Sequence, residues 1–296
     1  MKGRGILAVA LALSLSACVT APAQQASTVP APAAKPAEPP ATMQWLYGSG
    51  EAGALGIQAY HAMRDFVLVQ ALAKRSGQSV VLAEGSTLQA PQFRTCRPDE
   101  PLAVILDVDE TALLNLGYEY DEAKGRAYDA GIWDRWEKTG AGAVAPVPGA
   151  VTALRAIRQA GVTVVFNSNR QAANAAATAA AIEGAGLGPA KHGETLFLKG
   201  DVAPGSEKDP RRALVANRYC VVAMAGDQLG DFSDLFNARD LAIPARRAAA
   251  TGGTFARLWG NGWFLLPNPV YGPGVRGSFD DVFPADKRWS DPAGEK

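Results

Sequence analysis

Residues 103–115 read AVILDVDETALLN and join a β-type apolar run to a crowded group of acids. Asp107, Asp109 and Glu110 follow directly after the apolar residues AVIL. Three neighbouring carboxylates repel one another, and burying any of them unpaired costs free energy. A solvated turn after a strand would explain the acids without any function. The alternative is a site that uses negative charge, and the rest of the chain favours it.

After residue 101 the chain alternates between β-type runs and helical patterns. The β-type runs are LAVILDV (102–108), VTVVFNSN (162–169), ETLFLKG (194–200) and YCVVAMAG (219–226). Helical patterns lie between these runs, and an earlier one over residues 51–74 predicts a long amphipathic helix, or two helices broken near Gly53. Continuous apolar strands separated by helices predict an α/β fold, in which a parallel Rossmann-like sheet carries helices on both faces.

Polar side chains gather where the predicted strands end. In parallel sheets, ligands bind beyond the carboxyl ends of the strands. The sequence therefore places one set of acidic, hydroxyl, amide and cationic side chains along a single sheet edge. Its members are Asp107, Asp109, Ser168, Asn169, Arg170, Asp227 and Asp231, with Lys208 at the start of an intervening helix.

This set of side chains suits phosphoryl transfer. Mg²⁺ takes oxygen ligands, and Asp107, Asp227 and the backbone carbonyl of Asp109 are the predicted protein ligands. Ser168 and Lys208 would face the phosphate oxygens. Asp107 is the predicted nucleophile toward phosphorus, and Asp109 the acid that protonates the leaving group and then activates water.

Composition narrows the class of protein. The chain has 296 residues, no formal net charge and 48% hydrophobic residues, which is typical of a globular protein. The balanced charge argues against a nucleic acid polymer as the partner. A small anionic substrate remains compatible with a neutral chain, because a local site can hold a strong field.

The N-terminal region predicts export and lipid anchoring. Residues 1–17 combine a short basic segment with an apolar run too short to span a bilayer, which predicts a signal peptide. The sequence LSAC ending at Cys18 resembles the lipobox of bacterial lipoproteins, which implies cleavage before Cys18 and its lipidation. An ordinary secretory signal with a chance cysteine is the alternative. Residues 18–42 are rich in Pro and Ala and predict a tether, so we expect a lipid anchor as the one membrane contact. Val19, which is not Asp, favours the outer membrane in the cell envelope.

Four motifs together resemble class C acid phosphatases of the haloacid-dehalogenase superfamily. They are ILDVDETALLNLGY (105–118), FNSNR (166–170), GSEKDPRR (205–212) and GDQLGDF (226–232). The resemblance covers residues 44–284 and implies a Mg²⁺-dependent phosphomonoesterase on a domain spanning residues 43–296. It also implies a short cap inserted at residues 112–148, and a second-signature Asp231 that orients Lys208. Gln228 replaces the Asn common in the family, and Lys199 competes with Lys208 as the motif lysine.

The expected substrates are small phosphomonoesters, nucleoside monophosphates among them. Asn169 and Arg170 are candidate substrate-binding residues. Tyr118 and Tyr271 lie in segments that resemble the family's site, and ordinary packing is the alternative explanation for both aromatic rings. A phosphotransferase and a non-catalytic ligand-binding lipoprotein remain as alternatives, and a homodimer is compatible with the sequence.

The two remaining cysteines, Cys96 and Cys220, form a candidate disulfide. The export signal predicts an oxidising compartment. The superfamily's sheet order implies that the strands near these cysteines are neighbours, within the reach of a disulfide. Two buried free thiols are the alternative.

Overall fold

The computed structural model describes residues 38–73 and 77–292, and its centre is a five-stranded sheet. In sheet order, the strands of this sheet begin at Leu196, Thr163, Leu102, Cys220 and Trp263, and every neighbouring pair is parallel. The predicted α/β fold is thus confirmed. All strands in chain order are β1 (Gln78–Leu82), β2 (Phe93–Thr95), β3 (Leu102–Leu106), β4 (Leu113–Leu114), β5 (Ala145–Pro146), β6 (Thr163–Gln171), β7 (Leu196–Lys199), β8 (Cys220–Gly226) and β9 (Trp263–Leu265).

Strand β3 is central because it is apolar on both faces and pairs on both sides. Ala103 lies opposite Thr163 of β6 and opposite Val221 of β8. Val104 and Leu106 point into one buried cluster, and Ala103 and Ile105 into the other. Period-two alternation sends successive side chains to opposite faces, so an all-apolar strand fits only a sheet covered on both sides.

Helices cover both faces of this sheet. They are α1 (Ala41–Met43), α2 (Gly50–Ala73), α3 (Leu116–Glu122), α4 (Ala130–Thr139), α5 (Ala150–Gln159), α6 (Ala175–Gly184), α7 (Asp209–Ala216), α8 (Ile243–Thr251), α9 (Gly253–Ala256) and α10 (Phe279–Val282). Helix α2 is one continuous helix without a break at Gly53, and it buries Tyr60, Met63 and Val67 in the core.

Two sets of strands differ from the sequence-based expectation. Strand β9 extends the sheet next to β8, although its three residues were too short a run to predict a strand. Strands β1 and β2 form a separate antiparallel pair, and the hydroxyl of Ser79 in β1 donates to the carbonyl of Val221 at 3.0 Å.

Residues 112–148, the predicted cap, contain helices α3 and α4 above a short antiparallel pair. That pair joins Leu113 of β4 to Pro146 of β5, so the insert leaves and re-enters the core at neighbouring points. Two short helices between paired strands make a small cap.

Cys96 and Cys220 are joined by a disulfide, with their Cα atoms 5.3 Å apart. Cys220 begins strand β8, and Cys96 follows β2. Both cysteines therefore lie near the amino ends of the sheet strands, away from the edge that carries Asp107 and Asp227.

The predicted signal peptide (1–17), Cys18 and nearly all of the tether (18–42) lie outside the described residues. The tether's last residues, Ala41 and Thr42, belong to helix α1, whose Met43 is buried and ties the segment to the domain. Within residues 38–73 and 77–292, no helix combines the length and apolarity needed to cross a membrane.

Candidate active site

The structure gathers the predicted side chains at the carboxyl edge of the sheet. Asp107 and Asp109 follow β3, Ser168 and Arg170 occupy the end of β6, and Asp227 follows β8. Lys208 precedes the first residue of α7. Hydrogen bonds and ion pairs connect these residues to one another, so one site contains them.

Lys208 lies between two carboxylates. Its Nζ is 2.6 Å from Oδ1 of Asp107 and 2.7 Å from Oδ1 of Asp231. Burial raises the pKa of Asp107 well above its usual value, while the ammonium of Lys208 acts in the opposite direction. Burial also disfavours the charge on Lys208, yet the carboxylates of Asp107 and Asp231 keep its pKa above the usual value. Lys208 therefore remains a cation in a site that excludes most water.

Three carboxylates can hold a divalent metal. Asp107, Asp227 and Asp231 each offer one oxygen, and these oxygens lie within 4.8 Å of one another. Burial, followed by repulsion from Asp231, raises the pKa of Asp227 to about 7. A cation among these oxygens would relieve that repulsion, and an all-oxygen donor set suits Mg²⁺. The donor set thus fits a metal, and Asp231 belongs to it in addition to its predicted contact with Lys208.

Two neighbouring side chains hold Asp227 in place. The hydroxyl of Thr111 donates to Oδ1 of Asp227 at 2.8 Å, and Nδ2 of Asn268 donates to Oδ2 at 2.8 Å. Gln228, the departure from the family pattern, also donates to Oδ2 at 3.2 Å and to the carbonyl of Tyr271 at 3.1 Å. The longer amide therefore links Asp227, a candidate metal ligand, to the segment that carries Tyr271.

Asp109 is held apart from these carboxylates. Nε and Nη2 of Arg170 donate to its Oδ1 at 2.9 and 2.8 Å, and Nδ2 of Asn115 donates to the same oxygen at 3.0 Å. Burial opposes the charge on Asp109, but the charge and hydrogen bonds of Arg170 outweigh it and lower the pKa of Asp109 below its usual value. Because its side chain is directed to Arg170, it lies outside the carboxylate cluster, as its predicted acid–base role requires.

Arg170 and Ser168 both contact Asp109. The guanidinium of Arg170 is buried and binds the Asp109 carboxylate. The hydroxyl of Ser168 is also buried and donates to Oδ2 of Asp109 at 3.3 Å. The substrate-binding role of Arg170 and the phosphate-binding role of Ser168 stay predictions. Strand position predicted the location of both residues correctly but could not reveal their partners.

The predicted substrate-binding aromatic rings are largely enclosed. Tyr118 is 4% exposed and packs edge-on against Trp133 at a centroid distance of 4.7 Å, so packing accounts for it better than stacking on a ligand. The hydroxyl of Tyr271 donates a short hydrogen bond to Glu110. Asn169 is exposed at the rim of the site, and its Oδ1 accepts from Arg211.

Two functional neighbours, Glu110 and Asn115, were not predicted. Glu110 is buried and has a left-handed backbone, with φ of 53°. Its carboxylate accepts from Tyr271, from Tyr47 at 3.3 Å and from the backbone N–H of Asn115 at 2.9 Å. Burial, followed by repulsion from Asp109, raises the pKa of Glu110 to about 7. Both residues lie in the acidic stretch 103–115, and their position in that stretch is the one sequence feature that could have predicted their place in the site.

The comparison with protein families decides the identity of this fold and site. Residues 58–274 match the model of the HAD superfamily, subfamily IIIB (Acid phosphatase). The chain belongs to this acid phosphatase family. The match spans more than half of the chain and includes the five strands of the central sheet and the site residues Asp107, Asp109, Lys208, Asp227 and Asp231.

Solved structures agree with this assignment. A class C acid phosphatase from Bacillus anthracis with tungstate bound is 27% identical, and the alignment covers 78% of this chain and 84% of that one with a TM-score of 0.60. A second structure of the Bacillus anthracis enzyme is 26% identical with the same coverages and a TM-score of 0.61. No curated protein matches the sequence significantly. This acid phosphatase is thus a phosphomonoesterase of the HAD superfamily, as its motifs predicted.

Proposed function

We propose that this acid phosphatase hydrolyses small phosphomonoesters, nucleoside monophosphates among them, through an aspartyl-phosphate on Asp107 with Mg²⁺ as cofactor. One observation carries the proposal. Asp107 is paired with the cation of Lys208 and offers an oxygen within 4.8 Å of oxygens of Asp227 and Asp231, while Asp109 is held separately by Arg170. A nucleophile beside a cation, a group of carboxylates that can hold a metal and a separate acid–base group are the parts that this reaction needs.

In the first step a carboxylate oxygen of Asp107 attacks phosphorus, and the bond from phosphorus to the ester oxygen breaks. Asp109 carries a proton at this step, although Arg170 lowers its pKa, and donates that proton to the departing oxygen, which leaves as an alcohol. Lys208 remains close to Asp107 and balances the negative charge of the transferring group. In the second step the Asp109 carboxylate takes a proton from water, which attacks phosphorus and releases phosphate with Asp107 restored. The proton that Asp109 takes from water in the second step restores this protonated state for the next cycle.

Asp107, Asp227 and Asp231 would hold the metal, because their oxygens already converge within 4.8 Å. Mg²⁺ bound there would supply positive charge to the transferring phosphoryl group. Residues of this chain position the ligands: Thr111 and Asn268 orient Asp227, and Lys208 orients Asp231.

The substitution Asp107→Asn tests the covalent mechanism. An amide cannot form the acyl-phosphate, so we expect phosphate release from a panel of monoesters to fall to background while the melting temperature stays near that of wild type. Asp121→Asn, an exposed aspartate in α3, is the matched control and should retain activity. Wild-type turnover by Asp107→Asn would contradict the nucleophile assignment. A phosphorylated alcohol formed in the presence of an added acceptor would favour the phosphotransferase instead.

Metal dependence has its own test. Chelation should remove activity and Mg²⁺ should restore it. Asp227→Ala should weaken Mg²⁺ affinity more than Asp231→Ala, since Asp231 shares its carboxylate with Lys208. Equal affinities in a calorimetric titration of the two variants would contradict this ranking, and full activity in chelator would contradict the metal requirement.

We also propose that the enzyme acts in the cell envelope, anchored by lipid on Cys18 and bound to the outer membrane. The signal-like residues 1–17 support export, and the disulfide between Cys96 and Cys220 supports an oxidising compartment. Cys18→Ser should move the protein from the membrane fraction to the soluble fraction of cells. Retention of this variant in salt-washed membranes would contradict the anchor.

A further inference from the structure

Trp136 in cap helix α4 is fixed by small residues on both sides. A methyl group added at Gly117 would come within 2.9 Å of the Trp136 ring, and one added at Gly140 within 2.3 Å. Both distances are shorter than side-chain contacts allow, so only glycine at these positions admits the indole. The indole N–H donates to Oδ1 of Asn115 at 3.1 Å. Helix α4 therefore makes a directed hydrogen bond to the first signature.

Asn115 is fully buried, and its amide has one orientation. Its Oδ1 accepts from Trp136 and also from Nη2 of Arg170 at 2.8 Å, which uses both lone pairs. Its Nδ2 faces the opposite way and donates to Asp109 and to Glu110, each at 3.0 Å. A flipped amide would place N–H groups against two donors and an oxygen against two carboxylates, so the four neighbours determine its direction.

The two oxygens of Asp109 have different surroundings. Oδ1 accepts from Nε and Nη2 of Arg170 and from Nδ2 of Asn115. Among the described residues, only the hydroxyl of Ser168 is within hydrogen-bond distance of Oδ2, at 3.3 Å. Three N–H donors thus occupy Oδ1 and leave Oδ2 as the oxygen that can carry a transferable proton.

We infer that Trp136 and Asn115 are positioning residues for the acid–base step. Trp136 fixes the amide of Asn115, and Asn115 holds Asp109 both directly and through Arg170. Oδ1 of Asp109 is thereby occupied, and Oδ2 exchanges the proton with the leaving oxygen. This inference rests on the acid–base role proposed above for Asp109. It gives helix α4 of the cap a part in proton transfer, because the hydrogen bonds that position Asp109 begin at the indole N–H of Trp136. None of these contacts touches Asp107, so the attack on phosphorus is expected to be nearly independent of them.

Leaving-group dependence tests the inference. A p-nitrophenolate leaves without protonation, whereas a simple alkoxide needs a proton from the acid. The quantity to measure is kcat/KM, because it reports the first phosphoryl transfer and excludes hydrolysis of the aspartyl-phosphate. Trp136→Phe keeps the packed ring and removes the N–H. We expect its kcat/KM to fall about tenfold or more with an alkyl phosphate and to change less than about threefold with p-nitrophenyl phosphate.

A second variant acts on the same contact without touching a polar group. Gly140→Ala should displace the indole and reproduce the selective loss, because the three atoms nearest to the added methyl group all belong to the Trp136 ring, at 2.3 to 2.6 Å. Trp259→Phe is the matched control. It removes an indole N–H that donates to the carbonyl of Ala250 at 2.7 Å and to none of Asp109, Asn115 and Arg170, so it should affect neither substrate.

The outcomes separate this inference from the proposed mechanism. Asp109→Asn should show the same selectivity in stronger form. If it does, and both Trp136→Phe and Gly140→Ala behave like wild type or lose both substrates equally, the positioning role is overturned while Asp109 remains the acid. If Asp109→Asn itself shows no selectivity, the acid–base assignment fails and the positioning role fails with it.

Discussion

Glu119 shows how strongly burial can act on one carboxyl. It lies in α3, is 4% exposed, and its Oε2 has no hydrogen-bond donor among the described residues. Burial, followed by repulsion from Glu110 and Glu122, raises its pKa to about 8. Nothing in the proposed mechanism uses this carboxyl, so its effect falls on stability. In the unfolded chain Glu119 has its ordinary pKa of 4.5 and releases its proton above that pH. The folded state must then either keep the proton or bury a charge, and both lower the free energy of unfolding.

Glu119→Gln should therefore stabilise the protein in a pH-dependent way. Below pH 4.5 the carboxyl is protonated in both states and the substitution gains nothing. Between pH 4.5 and 8 the cost of Glu119 grows, and above pH 8 it is constant. The upper bound is about 5 kcal/mol, since the pKa rises from 4.5 to about 8 and one pKa unit corresponds to about 1.4 kcal/mol. Melting curves should show several degrees of gain at pH 8 and none at pH 4.5. Exposed Glu51→Gln is the control, and equal gains at both pH values would contradict the assignment.

At the scale of elements, the start of α7 is locked to the segment after β8. The backbone N–H groups of Lys208 and Asp209 donate to Asp234 at 2.9 and 2.6 Å. Arg212, fully buried, donates to the carbonyls of Gly230 and Asp231 at 3.0 and 2.9 Å. These contacts hold Lys208 opposite Asp231. The ammonium of Lys208 is thus placed by two elements that are remote in sequence.

Arg212→Lys should weaken this lock although it preserves the charge. A lysine cannot reproduce the fork that reaches two carbonyls and Asp209 together, so we expect a loss on the order of 3 kcal/mol. Urea denaturation measures the loss, and kcat should fall with it because Lys208 is no longer fixed. Arg218→Lys, an exposed position after the same helix, is the control. Unchanged stability and activity in Arg212→Lys would contradict the lock.

The sequence predicted a strand correctly where its apolar run was long and missed it where the run was short. Long apolar runs predicted β3, β6, β7 and β8 correctly. Strand β9 was missed because three residues between glycine and proline-rich segments give no periodicity. Strand ends predicted which residues share the site edge, but side-chain pairing is set by packing. For this reason the contact of Arg170 with Asp109 and the left-handed backbone of Glu110 appeared only in the structure.

At the scale of the whole molecule, the disulfide joins segments 124 residues apart. In the chain-entropy model a closed loop of this size stabilises the fold by about 5 kcal/mol. The double variant Cys96→Ala/Cys220→Ala should melt well below wild type, by on the order of 10 °C. Reductant should lower the melting temperature of wild type to that of the variant and leave the variant unchanged. A wild-type melting temperature that does not respond to reductant would contradict this contribution.

The sheet order has a consequence for the time course of assembly. Central strand β3 pairs with β6 and β8, and β6 begins about sixty residues after β3 while β8 begins more than a hundred residues after it. As the chain is synthesised or exported from its amino end, β3 cannot pair until β6 and β8 have emerged. Cys96 likewise cannot form its disulfide until Cys220 has emerged. Contacts between distant segments slow folding and leave apolar strands uncovered meanwhile. The early part of the chain is therefore the part most in need of a chaperone. The disulfide forms late, after the strands of the sheet have paired.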